Sequence, residues 1–377
     1  MRLLLLIENL CSGGAQRQIC MLAKLLKERG YDVVLAVYHE NDFFEPEMQE
    51  AGVHVEKVLG GGKYTKLFFV RSFVRNWKPD AVIAYLDTPN LIAEFSGLPY
   101  RKFAIIVSER AGKVGSISMK DRIRLQAHSF ADAVVANGKT LKEFVVKNCP
   151  RLESKSHVIY NCVDFDKFDS VKSKPRDPEV FDIVTVGRYR PVKNPDNLVK
   201  AMQILAERQD RFVRLTWYGD NFFQDDAPTS LSDTYLKLKE QIEQCDLSAS
   251  FVLKYKTKNV VKVYSEADAV CIASFFEGFS NVLGEAVACG KPVIASNVCD
   301  NPTLVRNNEN GFLFDPQSPE DIANAFSKMA NSSHEQLLDM SRQSRRIAIE
   351  ILSPAKFVDS YLELISKVTE KYRQVKS

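Results

Sequence analysis

The segment from Phe276 to Ala286 concentrates residue types that could do chemistry. Glu277 and Glu285 bracket seven residues that include Gly278, Phe279, Ser280, Asn281 and Val282. An apolar run precedes the segment, and a helical pattern begins near Asn281. Gly278 permits close backbone approach to a ligand, and the amides near Ser280 to Val282 would point at it. Unsatisfied donors and the helix dipole favour an anion there. Two carboxylates beside that anion repel it unless they bind something else. Hydroxyls suit them, because a carboxylate accepts two hydrogen bonds from a vicinal diol. A sugar on one side of a diphosphate and a ribose on the other would use both. A surface Glu and a helix-capping Glu would carry the same spelling. A second cluster, Gly187-Arg188-Tyr189-Arg190-Pro191-Val192-Lys193, also follows an apolar run. Gly187 lets the backbone turn, Arg188 can grip phosphate oxygens with two donors, and Lys193 supplies a point charge. A solvated basic turn is the alternative that this spacing leaves open.

Such loops need strands behind them. Apolar β-rich runs at Arg2–Ile7, Asp32–Val37, His54–Val58, Asp80–Ala84, Phe103–Val107, Ala133–Ala136 and His157–Tyr160 predict strands. Helical patterns intervene at Ala15–Arg29, Thr65–Trp77 and Ser118–Phe130. The alternation breaks at Asp164–Val180, where a charged, Pro-containing stretch from Lys172 to Pro178 reads as a linker. It restarts with strands at Asp182–Val186, Val213–Tyr218, Ser250–Leu253, Ala269–Ala273, Pro292–Ala295 and Gly311–Phe314. Helices are predicted at Pro195–Arg208, Ser232–Gln244, Val282–Cys289 and Pro319–Ala330, and the chain ends in helices. Near-continuous apolar strands alternating with helices imply parallel sheets covered on both faces. The expectation is an α/β protein of two doubly wound, Rossmann-like domains facing across a cleft. Residues 1–168 form the first, 180–353 the second, and a last helix, 354–377, returns to the first. Ligands in such sheets bind beyond the carboxyl ends of the strands.

A length of 377 residues fits two domains. With 45% hydrophobic and 26% charged residues, composition excludes a disordered chain or a disulfide-stapled mini-protein. The 51 basic and 48 acidic residues are too even for a dedicated nucleic-acid binder. Between Lys57 and Arg124, however, 13 Lys and Arg face 5 Asp and Glu. The first apolar run, Leu3 to Ile7, is too short for a signal-peptide core or a membrane span. A cytoplasmic location is therefore expected. The eight cysteines show no C-x-x-C pair and read as reduced core residues, with no zinc site.

The pair Glu277 and Glu285 resembles the Glu-x7-Glu motif of the retaining glycosyltransferases of family 4, which have the GT-B fold. Matching segments run along nearly the whole chain. They are Ser12-Gly13-Gly14-Ala15, Val158-Ile159-Tyr160-Asn161-Cys162-Val163-Asp164, Val186-Gly187-Arg188 with Lys193, and Ala288-Cys289-Gly290-Lys291-Pro292-Val293-Ile294-Ala295. The resemblance implies roles. Arg188 and Lys193 would hold the donor diphosphate as it leaves, with Gly187 shaping their loop. Glu277 would contact the transferred sugar, the amides of Gly278, Phe279, Ser280, Asn281 and Val282 would contact sugar and phosphate, and Glu285 would bind the ribose. Gly13 and Gly14 would let the first-domain loop approach donor or acceptor. The family's commoner loop has Glu where Gln16 stands here. No metal or other cofactor is implied, because cations and helix amides stabilise the leaving group. The stretch Asp164-Phe165-Asp166 spells Asp-x-Asp, the metal motif of the other large glycosyltransferase fold, but beside the linker it reads as a structural turn.

The implied reaction is front-face displacement, with the departing phosphate taking the acceptor proton. The implied donor is a UDP-sugar and the acceptor a glycan or lipid-linked saccharide of a cell-surface polysaccharide or glycolipid pathway. Some relatives carry a His after the fifth strand, where this chain has Glu109 and Arg110. These two are acceptor candidates, or else a salt bridge, and Asp87 after the preceding strand is a further one. His128 reads as a partly buried structural residue. Lys63, Lys66, Arg71, Arg75 and Lys78 interleave with Phe68, Phe69, Phe73 and Trp77, and Lys113, Lys120, Arg122 and Arg124 flank Ile117, Met119 and Ile123. An amphipathic basic surface of this kind suits an anionic membrane, the inner face of the plasma membrane, although Leu67, Val70, Phe73, Val74 and Trp77 also form an ordinary core stripe. Rival readings are a nucleotide-sugar 2-epimerase of similar fold and a non-catalytic nucleotide-sugar-binding protein. A dinucleotide oxidoreductase lacks its Gly-x-Gly-x-x-Gly, and Gly138-Lys139-Thr140 lacks the first Gly of a P-loop.

Overall fold

The computed structural model describes residues 1–60, 65–110, 117–169, 179–208, 211–220, 232–257 and 259–373. The expected linker stretch from Lys172 to Pro178, Gly61, Gly62, Lys63 and Lys113 lie outside them. Two compact units emerge: Met1–Cys162 with Pro354–Ser377, and Val163–Ser353.

Unit 1 holds β1 (Arg2–Ile7), α1 (Gly14–Glu28), β2 (Asp32–Val37), α2 (Glu45–Glu50), β3 (His54–Lys57), α3 (Thr65–Trp77) and β4 (Ala81–Tyr85). It continues with α4 (Asp87–Ser96), β5 (Ala104–Glu109), α5 (Met119–Ala127), β6 (Ala133–Ala136), α6 (Lys139–Asn148) and β7 (Ser156–Val158). Among the described residues its parallel strands run in the order β3-β2-β1-β4-β5-β6-β7. Five consecutive apolar residues of β1 are fully buried, because each face of the sheet has its own core. Leu3, Leu5 and Ile7 pack with α1 and with residues of the last helix, while Leu4 and Leu6 pack with α3, α4 and α5. Alternation on a strand covered on both sides demands this unbroken apolar run. Each fully buried Leu contributes about 1.5–3 kcal/mol from lost apolar exposure.

Unit 2 holds β8 (Val180–Val186), α7 (Pro195–Glu207), β9 (Phe212–Gly219), α8 (Asp233–Gln244), β10 (Phe251–Tyr255), α9 (Val260–Glu266) and β11 (Ala269–Ile272). It continues with α10 (Asn281–Ala288), β12 (Val293–Ser296), α11 (Asn301–Leu304), β13 (Gly311–Phe314), α12 (Pro319–Ala330) and α13 (His334–Leu352). Its parallel order is β10-β9-β8-β11-β12-β13. The last helix, α14 (Pro354–Arg373), belongs to unit 1, where it packs on α1 and β5. Two doubly wound parallel sheets are thus present, as the alternation predicts.

Two local expectations need correction, and Asp87, expected only to follow a strand, opens α4. The helix expected over Ser118–Phe130 ends as α5 at Ala127 and tightens into a 3-10 turn over His128–Phe130. Its start is fixed by a capping box in which Ser118 and Asp121 bond each other's backbone. The strand expected at His157–Tyr160 is shorter and earlier, spanning Ser156 to Val158, with the Ile159 amide still donating to the Ala136 carbonyl at 3.0 Å.

Candidate functional site

In each sheet the strand order reverses direction at one place, between β1 and β4 in unit 1 and between β8 and β11 in unit 2. Chains leaving two neighbouring strands in opposite directions open a crevice at the carboxyl edge. In unit 2 that crevice is flanked by the two clusters singled out in the sequence. The Gly187–Lys193 loop leaves β8, and the Phe276–Ser280 loop lies between β11 and α10.

The first loop is held from below. Gly187 has φ +151°, a conformation that favours glycine, and its carbonyl accepts from the Trp217 indole at 2.8 Å. Gly219, at the end of β9, is needed because a Cβ there would lie 2.5 Å from the Gly187 oxygen. Tyr189 is buried and donates to the carbonyls of Trp217 and Lys254. Asn194, in the left-handed region at φ 65°, turns the chain into α7, and Pro195 opens that helix. The loops are stitched together by the Phe275 amide donating to the Val192 carbonyl at 2.9 Å.

This frame brings the Lys193 ammonium onto the Glu277 carboxylate, and the Ser274 hydroxyl donates to the same oxygen at 2.8 Å. Both partners of the ion pair are largely buried, at 26% and 17% side-chain exposure, so it is only partly screened. Arg188 lies exposed on the same loop. Ser280 caps α10, accepting from the Leu283 amide at 3.3 Å, with the amides of Asn281 and Val282 in the first turn before it. Gly278 is half-buried on the approach to this end, whereas Phe279 and Ser280 are buried. Glu285 is buried one turn into α10, and one of its oxygens accepts from the Tyr264 hydroxyl at 3.2 Å. The arrangement offers cations, helix amides and two fixed carboxylates within one crevice edge. Ser274, Tyr264, Gly219 and Trp217 were not singled out from the sequence. Only the position of Ser274, just beyond an apolar strand, hinted at its place.

In unit 1, Gly13 caps α1 in an extended conformation, with Gly14 as the first helical residue. The Gln16 amide oxygen lies 2.3 Å from where a Gly13 Cβ would be, and its nitrogen donates to Asn9 at 3.4 Å. Gln16 therefore folds back over the glycine loop. Leu86, between β4 and α4, has φ 80° and ψ 162°, a conformation costing about 1–3 kcal/mol for a residue with a side chain. That strained link places Asp87 at the start of α4 on the crevice side.

Glu109, the last residue of β5, and Arg110, the first residue beyond it, turn to opposite faces of the sheet. Glu109 is 1% exposed and binds Arg124 and His128. The salt bridge weighed for this pair therefore forms with Arg124, and Glu109 is committed inside the unit. His128 is fully buried, which corrects the partly buried placement. Its Nδ1 meets Glu94 at 2.6 Å and its Nε2 meets Glu109 at 2.9 Å. Arg124 reaches on to Asp87 at 3.2 Å, leaving Asp87 as the exposed end of a buried charged chain. Burial alone would lower the His128 pKa, but the two carboxylates lift it to about 9. Burial would raise Glu109, yet His128 and Arg124 outweigh it and hold the carboxyl below its ordinary range. Glu94, with burial dominant over His128, is raised. Arg110 is half-buried on the other face and is held by Tyr85, Asn161 and Tyr361. Near the chain's midpoint, the Asp164 carboxylate accepts from the amides of Asp166 and Lys167, a self-contained turn.

Comparisons with known proteins agree along the chain. Residues 12–167 match the family model described as Glycosyltransferase Family 4, and residues 166–347 match Glycosyl transferases group 1. A D-inositol 3-phosphate glycosyltransferase of Corynebacterium glutamicum is 34% identical over 39% of this chain and 34% of its own length, so the match spans about a third of that relative. An N-acetylgalactosamine-N,N'-diacetylbacillosaminyl-diphospho-undecaprenol 4-alpha-N-acetylgalactosaminyltransferase of Campylobacter jejuni is 25% identical over 77% of this chain and 79% of that one. Among solved structures, Anabaena Alr3699/HepE in complex with UDP superposes with a TM-score of 0.81 at 19% identity, covering 97% of this chain and all of the other, a likeness of fold.

Proposed function

From the premise that the chain belongs to glycosyltransferase family 4 and has the GT-B fold, we propose that it moves a sugar from a UDP-sugar to a lipid-linked saccharide, with retention at the anomeric carbon. The observation that carries this reading is the Lys193–Glu277 ion pair beside the capped end of α10, with Glu285 fixed by Tyr264 behind it. An incoming diphosphate would compete with Glu277 for Lys193 and join Arg188 and the α10 amides. Glu277, released from the ammonium, would then accept from hydroxyls of the transferred sugar, and Glu285 from those of the ribose. The acceptor oxygen bonds to the anomeric carbon on the face from which the nucleotide leaves. The carbon–phosphate oxygen bond breaks, and the acceptor proton passes to the departing phosphate. Charge stabilisation then comes from preorganised cations and amides.

The acceptor would be handled by unit 1, with Asp87 presenting a carboxylate to a hydroxyl. Relatives named for diphospho-undecaprenol saccharides support a lipid-linked acceptor in surface-glycan synthesis. A lipid acceptor also suits contact with the anionic inner face of the plasma membrane. Phe68, Phe69, Met119 and Ile123 are each more than half exposed, on α3 and α5, and both helices pack against α4. Exposed Lys120 and Arg122 border the apolar residues of α5. Among the described residues no helix is long and apolar enough to cross a membrane.

The test is a donor panel screened by thermal shift, followed by transfer to undecaprenyl-diphosphate saccharides with the best donor. Glu277→Ala should lose about 100-fold or more in turnover while still binding UDP, since the lost contact is made to the reacting sugar. Transfer at the wild-type rate would remove Glu277 from the site. Donor hydrolysis or epimerisation without acceptor would favour an epimerase.

A further inference from the structure

Arg110 is a cation of unit 1 that, among the described residues, the fold holds through neutral side chains alone. Its Nη1 donates to the Asn161 side chain at 2.5 Å, and its Nη2 donates to the Tyr361 hydroxyl at 3.0 Å. The guanidinium carbon sits 3.8 Å over the Tyr85 ring, and the Tyr85 hydroxyl is 2.7 Å from that of Tyr361. All of these partners are neutral. Among the described residues no carboxylate pairs with Arg110, and its buried Nε has no acceptor. The contrast with Arg124 is direct, because that guanidinium lies against Glu109 and Asp87. Glu109 is next to Arg110 in sequence, but its carboxylate is turned to Arg124 and His128.

A half-buried guanidinium without a counter-charge is costly to keep unless an anion completes it. Planar, fixed guanidinium groups match phosphate oxygens with paired donors. The position also fits a ligand. Arg110 follows the carboxyl end of β5 and stacks on Tyr85, the last residue of β4, which borders the place where the strand order reverses. We infer that Arg110, oriented by Tyr361 of α14, Asn161 and Tyr85, binds a phosphate group in unit 1, and that this phosphate belongs to the acceptor. The choice of acceptor over donor rests on the reading above, in which the donor diphosphate is held by the Gly187–Lys193 loop and α10 of unit 2. On this account α14 contributes a side chain to the substrate site as well as apolar packing to the core.

The test titrates inorganic pyrophosphate by calorimetry into the full chain saturated with UDP. Wild type should show a pyrophosphate site that persists with UDP bound. Arg110→Met should weaken that site by at least roughly tenfold, the scale of losing charge-assisted hydrogen bonds. Tyr361→Phe, which keeps the ring and removes the hydroxyl, should weaken it by a smaller factor, and Arg110→Lys should restore part of the affinity. UDP affinity should be unchanged in all three. The inference fails if the UDP-saturated protein takes up no pyrophosphate, or if Arg110→Met binds it as wild type does. It also fails if Arg110→Met weakens UDP, because the phosphate is then the donor's. Should Arg110→Met not fold, unaltered pyrophosphate binding in Tyr361→Phe overturns it. A wild-type protein that binds no UDP at all would instead strike the donor assignment, and Arg110 would then be judged on pyrophosphate alone.

Discussion

Replacing His128 by Gln, which keeps a hydrogen-bonding side chain but cannot titrate, probes the buried charged chain of unit 1. The imidazole lies between Glu94 and Glu109 with no solvent exposure, and Glu109 is shared with Arg124, which continues to Asp87. Burial opposes protonation, but the two carboxylates win and raise the pKa from 6.5 to about 9. A folded-state pKa above the unfolded one means that the imidazolium stabilises unit 1 fully below about pH 6.5 and that this is lost as pH rises through about 9. At 1.36 kcal/mol per pKa unit, the gap of roughly 2.5 units sets a ceiling of about 3 kcal/mol. Glu109 works at the other end of the scale. Its lowered pKa gives stability that is present above the ordinary carboxylate range and lost as pH falls through the folded value. Glu94 is raised, so its ionisation costs stability as pH rises, and both carboxylates move further up when the imidazole is removed.

The sequence supplies the assay. Its two tryptophans are Trp77 in unit 1 and Trp217 in unit 2, so in a Trp217→Phe background the fluorescence reports unit 1 alone. Urea midpoints would be measured at pH 6, 7.5 and 9. The wild-type histidine should confer up to about 3 kcal/mol at pH 6 and little above pH 9, and His128→Gln should be less stable at pH 6 with a much flatter profile. Parallel pH profiles in the two proteins would refute a protonated His128 held between carboxylates.

Other substitutions test the frame and the surface. Gly311→Ala would place a Cβ 1.8 Å from the Val293 carbonyl oxygen on the paired strand β12, where backbone cannot yield cheaply. A loss on the order of 3 kcal/mol or more in unit 2, followed by Trp217 fluorescence, is expected, and a stability within 0.5 kcal/mol of wild type, roughly the range of ordinary surface changes, would contradict the geometry. Combining Phe68→Ser, Met119→Ser and Ile123→Ser should reduce partition onto phosphatidylserine vesicles by about tenfold or more. Wild type binding such vesicles no better than neutral ones would remove the membrane reading.

The candidate site residues were legible because their signals are local. Gly187 with Arg188 and Lys193, and Glu277 with Gly278 and Glu285, each lie within one strand–loop–helix passage, where side-chain type and spacing carry the meaning. Pro89 lies in the first turn of α4, where a proline removes an amide that has no partner in the helix. Ser274, Tyr264 and Gly219 carry no local signal, since their importance lies in what they touch.

By itself the sequence determined the alternation of buried strands and helices, the two-part doubly wound architecture, and the chemical character of the loops after β8 and β11. Apolar periodicity records which faces must be buried, and that is set residue by residue. The tertiary structure decided strand order, and with it every contact between distant segments. Placing β8 beside β11 brings Lys193 to Glu277. At the end of β5, Glu109 turns to Arg124 and His128 while Arg110 turns to Asn161 and Tyr361. The packing of α14 on unit 1 then sets Tyr361 against Arg110, a partner 251 residues away. Pairings of that range depend on how whole elements stack, which no short stretch of sequence encodes.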